Sequence, residues 1–148
     1  MVNVPLIRRL LNNLEGYVGD LKSADDITHA KYVKDIRIQR FVERTIHIAI
    51  ECCIDIVQHI ISSEGFREPV SYPDAFLVLA EKKILSPDSM NDYRQMAQIR
   101  NKIVHYYEKI DPEQVYTIFR TKLDTFDSFR RQIEMWMDSC KNSGPNRL

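Results

Sequence analysis

From Pro5 to Cys140 the apolar residues of this chain recur at steps of three and four, and no useful stretch alternates with a period of two. That rhythm confines the chain to amphipathic helices packed on one another. Leu6, Leu10, Leu11, Leu14, Tyr17, Val18 and Leu21 mark one face of a first helix running from Pro5 to about Lys22. Asp25 or Asp26 is placed to cap a second, long helix from about Ile27 to Ser62, with room for a kink and Gly65 just past its end. Pro69 breaks the following loop, and Pro73 opens a short helix over Asp74 to Lys83. Ser86-Pro87-Asp88 combines a hydroxyl cap, a proline and an acid, and predicts a helix reaching Tyr106 or Tyr107. Asp111-Pro112-Glu113 repeats that signal before a last helix to about Cys140, with Val115, Phe119, Leu123, Phe126, Phe129, Ile133 and Trp136 in rhythm. The reading is one all-α domain over residues 1–141, an up-and-down bundle of four main helices plus a short fifth, with residues 142–148 as a fraying tail.

Composition narrows the function. With 21 basic and 21 acidic residues the chain lacks the cationic excess of a generic nucleic-acid binder, which leaves room for an enzyme with a small local basic site. Three cysteines, two of them adjacent at Cys52 and Cys53, give no disulfide framework and fit a reducing, cytoplasmic setting. The N-terminus carries no secretory apolar stretch, and the apolar run Ile46 to Ile61, interrupted by His47, Glu51, Asp55 and His59, reads as too short and too charged to span a bilayer. No cofactor-binding glycine loop and no Cys/His pair with zinc spacing occurs, so no cofactor or metal is implied.

The informative segment is Arg100-Asn101-Lys102-Ile103-Val104-His105-Tyr106-Tyr107, at the end of one helix and before the cap of the next. An imidazole exchanges protons near neutral pH, and a guanidinium grips phosphate and stabilises developing negative charge. Together they suit metal-free RNA cleavage, in which the ribose 2′-hydroxyl attacks the adjacent phosphorus, His105 handles the proton and Arg100 stabilises the phosphate. On a straight helix Tyr107 would lie about 20° from Arg100, and His105 about 140° away. For Arg100 and His105 to share one phosphate, the helix end must unwind, the arginine must reach around, or a second subunit must complete the site. Asn101, four residues before His105, is its neighbour and a supporting candidate. The bland alternative for the set is a helix end carrying a surface Arg and a cap-like His, with Tyr107 as a core aromatic.

The run RNKIVHYY resembles the Arg-x4-His-x-Tyr motif of the HepT family within the HEPN group, with Arg100, His105 and Tyr107 at its three fixed positions. The stretches RFVERTIHIAIECCIDIVQHIISSEGF and LLNNLEGYVGDL are similar to the family's second and first helices, so the resemblance covers most of the chain. It implies a HEPN-like bundle that dimerises, with the cleft of an RNA-cleaving toxin (tRNA or mRNA) between two subunits. It also implies an MntA-type nucleotidyltransferase antitoxin that adenylylates the motif tyrosine, here Tyr107, and so sets phosphate charge beside Arg100. The rival reading is a non-catalytic helical subunit that binds nucleotide or docks a nucleotidyltransferase; a third is a purely structural dimer.

Two further constellations matter. Glu43, His47, Glu51, Asp55 and His59 fall at steps of four, a polar stripe on an otherwise apolar helix. No Glu-x-x-His pair accompanies it, so it reads as a solvated or cleft-lining face rather than a carboxylate-bridged metal site. Lys31, Lys34, Arg37, Arg40 and Arg44 outnumber Asp35 and Glu43, either as a solvated face or as a phosphate track toward the cleft, with Arg40 the best accessory candidate. Tyr72, Tyr93, Tyr106 and Tyr116 are scattered and read as packing residues more readily than as base-stacking ones.

Overall fold

The computed structural model describes residues 2–142, and every regular element among them is helical. Helix α1 (Val4–Ser23) is started by Asn3, whose Oδ1 accepts from the Leu6 amide at 3.1 Å. Its buried face is Ile7, Leu11, Leu14, Val18 and Leu21; Ile7 takes the place expected for Leu6, which is only partly covered. The long second helix predicted from Ile27 is two helices, α2 (His29–Lys34) and α3 (Ile36–Glu64). Thr28, not Asp25 or Asp26, caps α2. Asp35, with extended backbone, both ends α2 and caps α3 by accepting from the Arg37 amide at 2.9 Å. An aspartate suits that position because its carboxylate answers an orphan amide at the positive helix end. Gly65 ends α3 in the left-handed conformation (φ 67°), as its position predicts.

Helix α3 is the axis of the molecule and packs against α1, α2, α4, α5 and α6. Its length and composition alone meet the requirement for crossing a membrane, against the reading of this run as too short and too charged. Yet 61% of its most apolar 18-residue window is buried inside the fold, which accounts for the apolarity by packing. Cys52 and Cys53 belong to that packing; burial pushes both thiols up, Cys52 to about 11.

Helix α4 (Tyr72–Glu81) starts two residues earlier than predicted because Ser71 caps it ahead of Pro73. After Ser86 the chain first makes a 3-10 turn, Pro87–Ser89, and then α5 (Met90–His105). The last predicted helix is again two, α6 (Pro112–Thr121) and α7 (Leu123–Asn142), broken at Lys122. There Lys122 Nζ pairs with Asp92 at 3.0 Å and the Thr125 hydroxyl donates to the same carboxylate at 3.0 Å, tying the corner to α5. Phe119, Phe126, Phe129 and Ile133 all reach the core across that break. Asn142, placed in the tail by sequence, is the last residue of α7; the rest of the predicted tail, 143–148, lies outside the described residues. The helices share one apolar core, which sets the C-terminal end of α5 against the polar stripe of α3.

Candidate functional site

Helix α5 stops at His105 because Tyr106 leaves the helical region (φ −140°, ψ 52°), and its amide closes the last turn on the Lys102 carbonyl at 2.8 Å. A 3-10 turn, Tyr107–Lys109, follows. The helix end therefore unwinds, and Tyr107 does not continue the Arg100 face as a straight helix would require.

Arg100 turns inward, its side chain only 14% exposed. Its Nε donates to Glu51 Oε1 at 2.5 Å and Nη1 to Asn101 Oδ1 at 3.2 Å, while the guanidinium lies 4.8 Å from the Tyr72 ring centroid. A guanidinium carries five N–H donors. Both hydrogens of Nη2 and one of Nη1 are thus without a protein partner among the described residues, and can meet an anion. Glu51 also faces His47, Nε2 to Oε1 at 3.3 Å, and His47 Nδ1 faces Arg44 Nη1 at 3.2 Å. One turn further on, partial desolvation and then the charge of Glu51 raise the Asp55 carboxyl, with Arg100 pulling it down.

Tyr107 sits against the start of the same stripe. The Arg40 guanidinium is 5.3 Å from its ring centroid, and Arg40 Nη1 is 3.5 Å from Glu43 Oε2. Partial burial, and then the neighbouring Glu43 carboxylate, raise the Tyr107 phenol above its usual value. The residue is 44% exposed, so its hydroxyl stays a surface group and not the core aromatic of the bland reading.

His105 is exposed, and its one ring contact is an edge approach to Tyr106 at 6.4 Å. The other three histidines are engaged: His29 with Glu113 at 2.9 Å, His47 as above, and His59 accepting from the Asn3 amide at 3.1 Å. His105 is thus the imidazole without a hydrogen-bond partner among the described residues, at the tip of the helix that carries Arg100.

Within one subunit, then, Arg100 and Asn101 are fixed against α3, Tyr107 rests on Arg40 and Glu43, and His105 stands apart in solvent. The α3 stripe lines this surface through Glu43, His47 and Glu51, whereas His59 serves the start of α1. The basic run is less continuous than its charge suggests, since Arg37 lies 3.5 Å from Asp35 and Arg44 meets His47; Lys31 and Lys34 are exposed. Sequence reading did not connect Glu51 or Tyr72 to Arg100. The step-of-four stripe was the only signal for Glu51, and nothing in the spacing marked Tyr72.

Comparison with known proteins bears on this surface. The family model described as ribonuclease HepT-like matches residues 13–133. A tRNA nuclease HepT of Aphanizomenon flos-aquae is 27% identical over 132 residues, covering 89% of this chain and 90% of that protein. An mRNA nuclease HepT of Shewanella oneidensis is 24% identical over 126 residues, covering 85% and 89%. Among solved structures, the Bacillus subtilis protein YutE, described as cytosolic and of unknown function, superposes with a TM-score of 0.82 at 20% identity over 93% of this chain and 92% of its own. A tri-AMPylated Shewanella oneidensis HEPN toxin, solved with its MNT antitoxin, superposes with a TM-score of 0.79 at 22% identity, covering 87% and 96%.

Proposed function

This chain belongs to the HepT-like ribonuclease family, and on that premise we propose that it is a metal-independent endoribonuclease toxin whose working groups are Arg100 and His105. The observation that carries the reading is the contrast at one helix end. Arg100 is held with outer N–H groups to spare, while His105, five residues on, is exposed and unpaired among the described residues. In the reaction a ribose 2′-hydroxyl attacks the adjacent phosphorus. His105 accepts its proton, the bond to the 5′-oxygen breaks, that oxygen takes up a proton from solvent, and a 2′,3′-cyclic phosphate and a 5′-hydroxyl result. Arg100 stabilises the charge that builds on the non-bridging oxygens. Asn101, by fixing Nη1, and Arg40, beside Tyr107, play supporting parts. The substrate is tRNA or mRNA, the two classes in the names of the curated relatives.

Two subunits share the chemistry. Arg100 and His105 diverge within one chain, and a symmetric pair brings the arginine of one copy to the histidine of the other. The partner is a nucleotidyltransferase antitoxin of the MntA type, which adenylylates Tyr107. The Tyr107 phenol is accessible, and the phosphate placed on it would lie beside the Arg40 guanidinium, where it is electrostatically favoured. The pair operates in the cytoplasm, in keeping with the cytosolic description of the YutE structure. Residues 1–141 act as a single domain.

Purified protein should cut RNA in excess EDTA, leaving cyclic-phosphate ends. Arg100→Ala and His105→Ala should each abolish cutting, and a mixture of the two variants, refolded together, should regain part of it. No complementation would place both groups in one subunit's site. Incubation with the partner and ATP should add AMP to Tyr107 by mass spectrometry; AMP on Tyr106 or nowhere would remove that assignment. A protein that never cuts RNA yet binds ATP or the partner tightly is a docking subunit instead.

A further inference from the structure

We infer that Glu51 is the positioning residue for Arg100, held in place in its turn by His47. The inference rests on the ribonuclease reading for its catalytic consequence, and on the geometry alone for the grip itself. An arginine side chain has four rotatable bonds, and a free one at this helix end would sweep a wide volume of solvent. Three contacts confine it: the Nε donation to Glu51 at 2.5 Å, the face contact with Tyr72 at 4.8 Å, and Nη1 on Asn101 at 3.2 Å. The first is the strong one, because donor and acceptor are both charged. Its anchor is also the most rigid, since Ile50, Cys52, Cys53 and Ile54 on either side of Glu51 are buried in the central helix.

Glu51 is itself oriented. A guanidinium has hydrogens but no acceptor, so the Arg44 contact at 3.2 Å makes His47 Nδ1 the acceptor. The neutral ring then carries its hydrogen on Nε2, aimed at Glu51 Oε1, 3.3 Å away. One carboxylate oxygen therefore receives both His47 and Arg100, and the order of dependence runs Arg44, His47, Glu51, Arg100.

A carboxylate on a functional arginine can act in two opposed ways. It can hold the cation still, or it can neutralise the cation and compete with the substrate. The geometry favours the first, because Glu51 engages Nε and leaves the Nη edge to the phosphate. A displaced cation costs on the order of 10²-fold in rate when the misplacement approaches 1 Å.

The test compares Glu51→Ala and Glu51→Gln in the full chain. Two readouts are used: steady-state RNA cleavage, and the Arg100 Nε–H signal in nitrogen-15 NMR. Glu51→Ala should lower kcat by roughly 10²-fold with KM changed far less. Glu51→Gln should recover most of that loss, since its amide oxygen still accepts from Nε. The Nε–H signal should be protected from exchange in the wild type and lost in Glu51→Ala. Cleavage by Glu51→Ala at or above the wild-type rate overturns the positioning role and leaves the nuclease reading standing. RNA left intact by the wild type sinks the nuclease reading and the catalytic consequence with it. The grip is then judged by NMR alone: loss of protection in Glu51→Ala upholds it, and unchanged protection overturns it.

Discussion

Replacing His105 by alanine should separate chemistry from folding more sharply than any other change in this chain. The imidazole is exposed, makes no hydrogen bond among the described residues, and meets only the edge of Tyr106 at 6.4 Å. Nothing in the core depends on it, so the stability change should stay within about 0.5 kcal/mol, the range of surface substitutions away from special features. For a chain of this length that is a midpoint shift of less than about 2 °C. Proton transfer is another matter. Loss of a positioned general base costs typically about 10²–10⁴-fold, which is about 3–5 kcal/mol of barrier at 1.36 kcal/mol per tenfold. The assays are thermal denaturation followed by circular dichroism, and a time course of end-labelled RNA on a denaturing gel. Unchanged cleavage would remove His105 from the mechanism. A midpoint lowered by more than about 5 °C would show a structural role that its exposure denies, and the loss of activity would then carry no mechanistic weight.

Other consequences follow from the packing. Tyr93 is buried, with its ring stacked 4.6 Å from Phe76 and its hydroxyl without a hydrogen-bond partner among the described residues. Tyr93→Phe keeps the ring and removes an unpaired buried polar group whose cost is about 1–3 kcal/mol, so the thermal midpoint should rise by several degrees; a fall would mean that the hydroxyl finds a partner in solution. Arg67 binds Asp74 through two hydrogen bonds of 2.8 and 2.9 Å and also reaches Glu81, and with help from the Val70 amide it lowers the Asp74 carboxyl to about 2. The stabilisation this provides is complete above the ordinary carboxyl value of 3.8 and disappears as the pH falls toward 2. Asp74→Asn should flatten acid unfolding across that window, and an unchanged acid limb would refute the link.

Much of the architecture was legible in the chain because a helix needs only local signals. The period of the apolar residues, the glycine after Glu64, and the prolines behind Ser86 and Asp111 act within one or two turns, and each marks an element that the structure contains. The breaks at Asp35 and Lys122 were not legible. Neither position carries a glycine or proline, and what breaks the helix is a cap at one and an anchor to Asp92 at the other. The motif divided the same way. Arg100, His105 and Tyr107 stand close enough in sequence to be read together, whereas their separate fates depend on α3. Glu51 is 49 residues from Arg100, and Tyr72 reaches it from another helix. Sequence by itself therefore determined the helical class and the chemical groups available, since both are written in neighbouring residues. Only the tertiary structure decided which groups are held and which are free, because that depends on contacts between helices whose partners are dozens of residues apart.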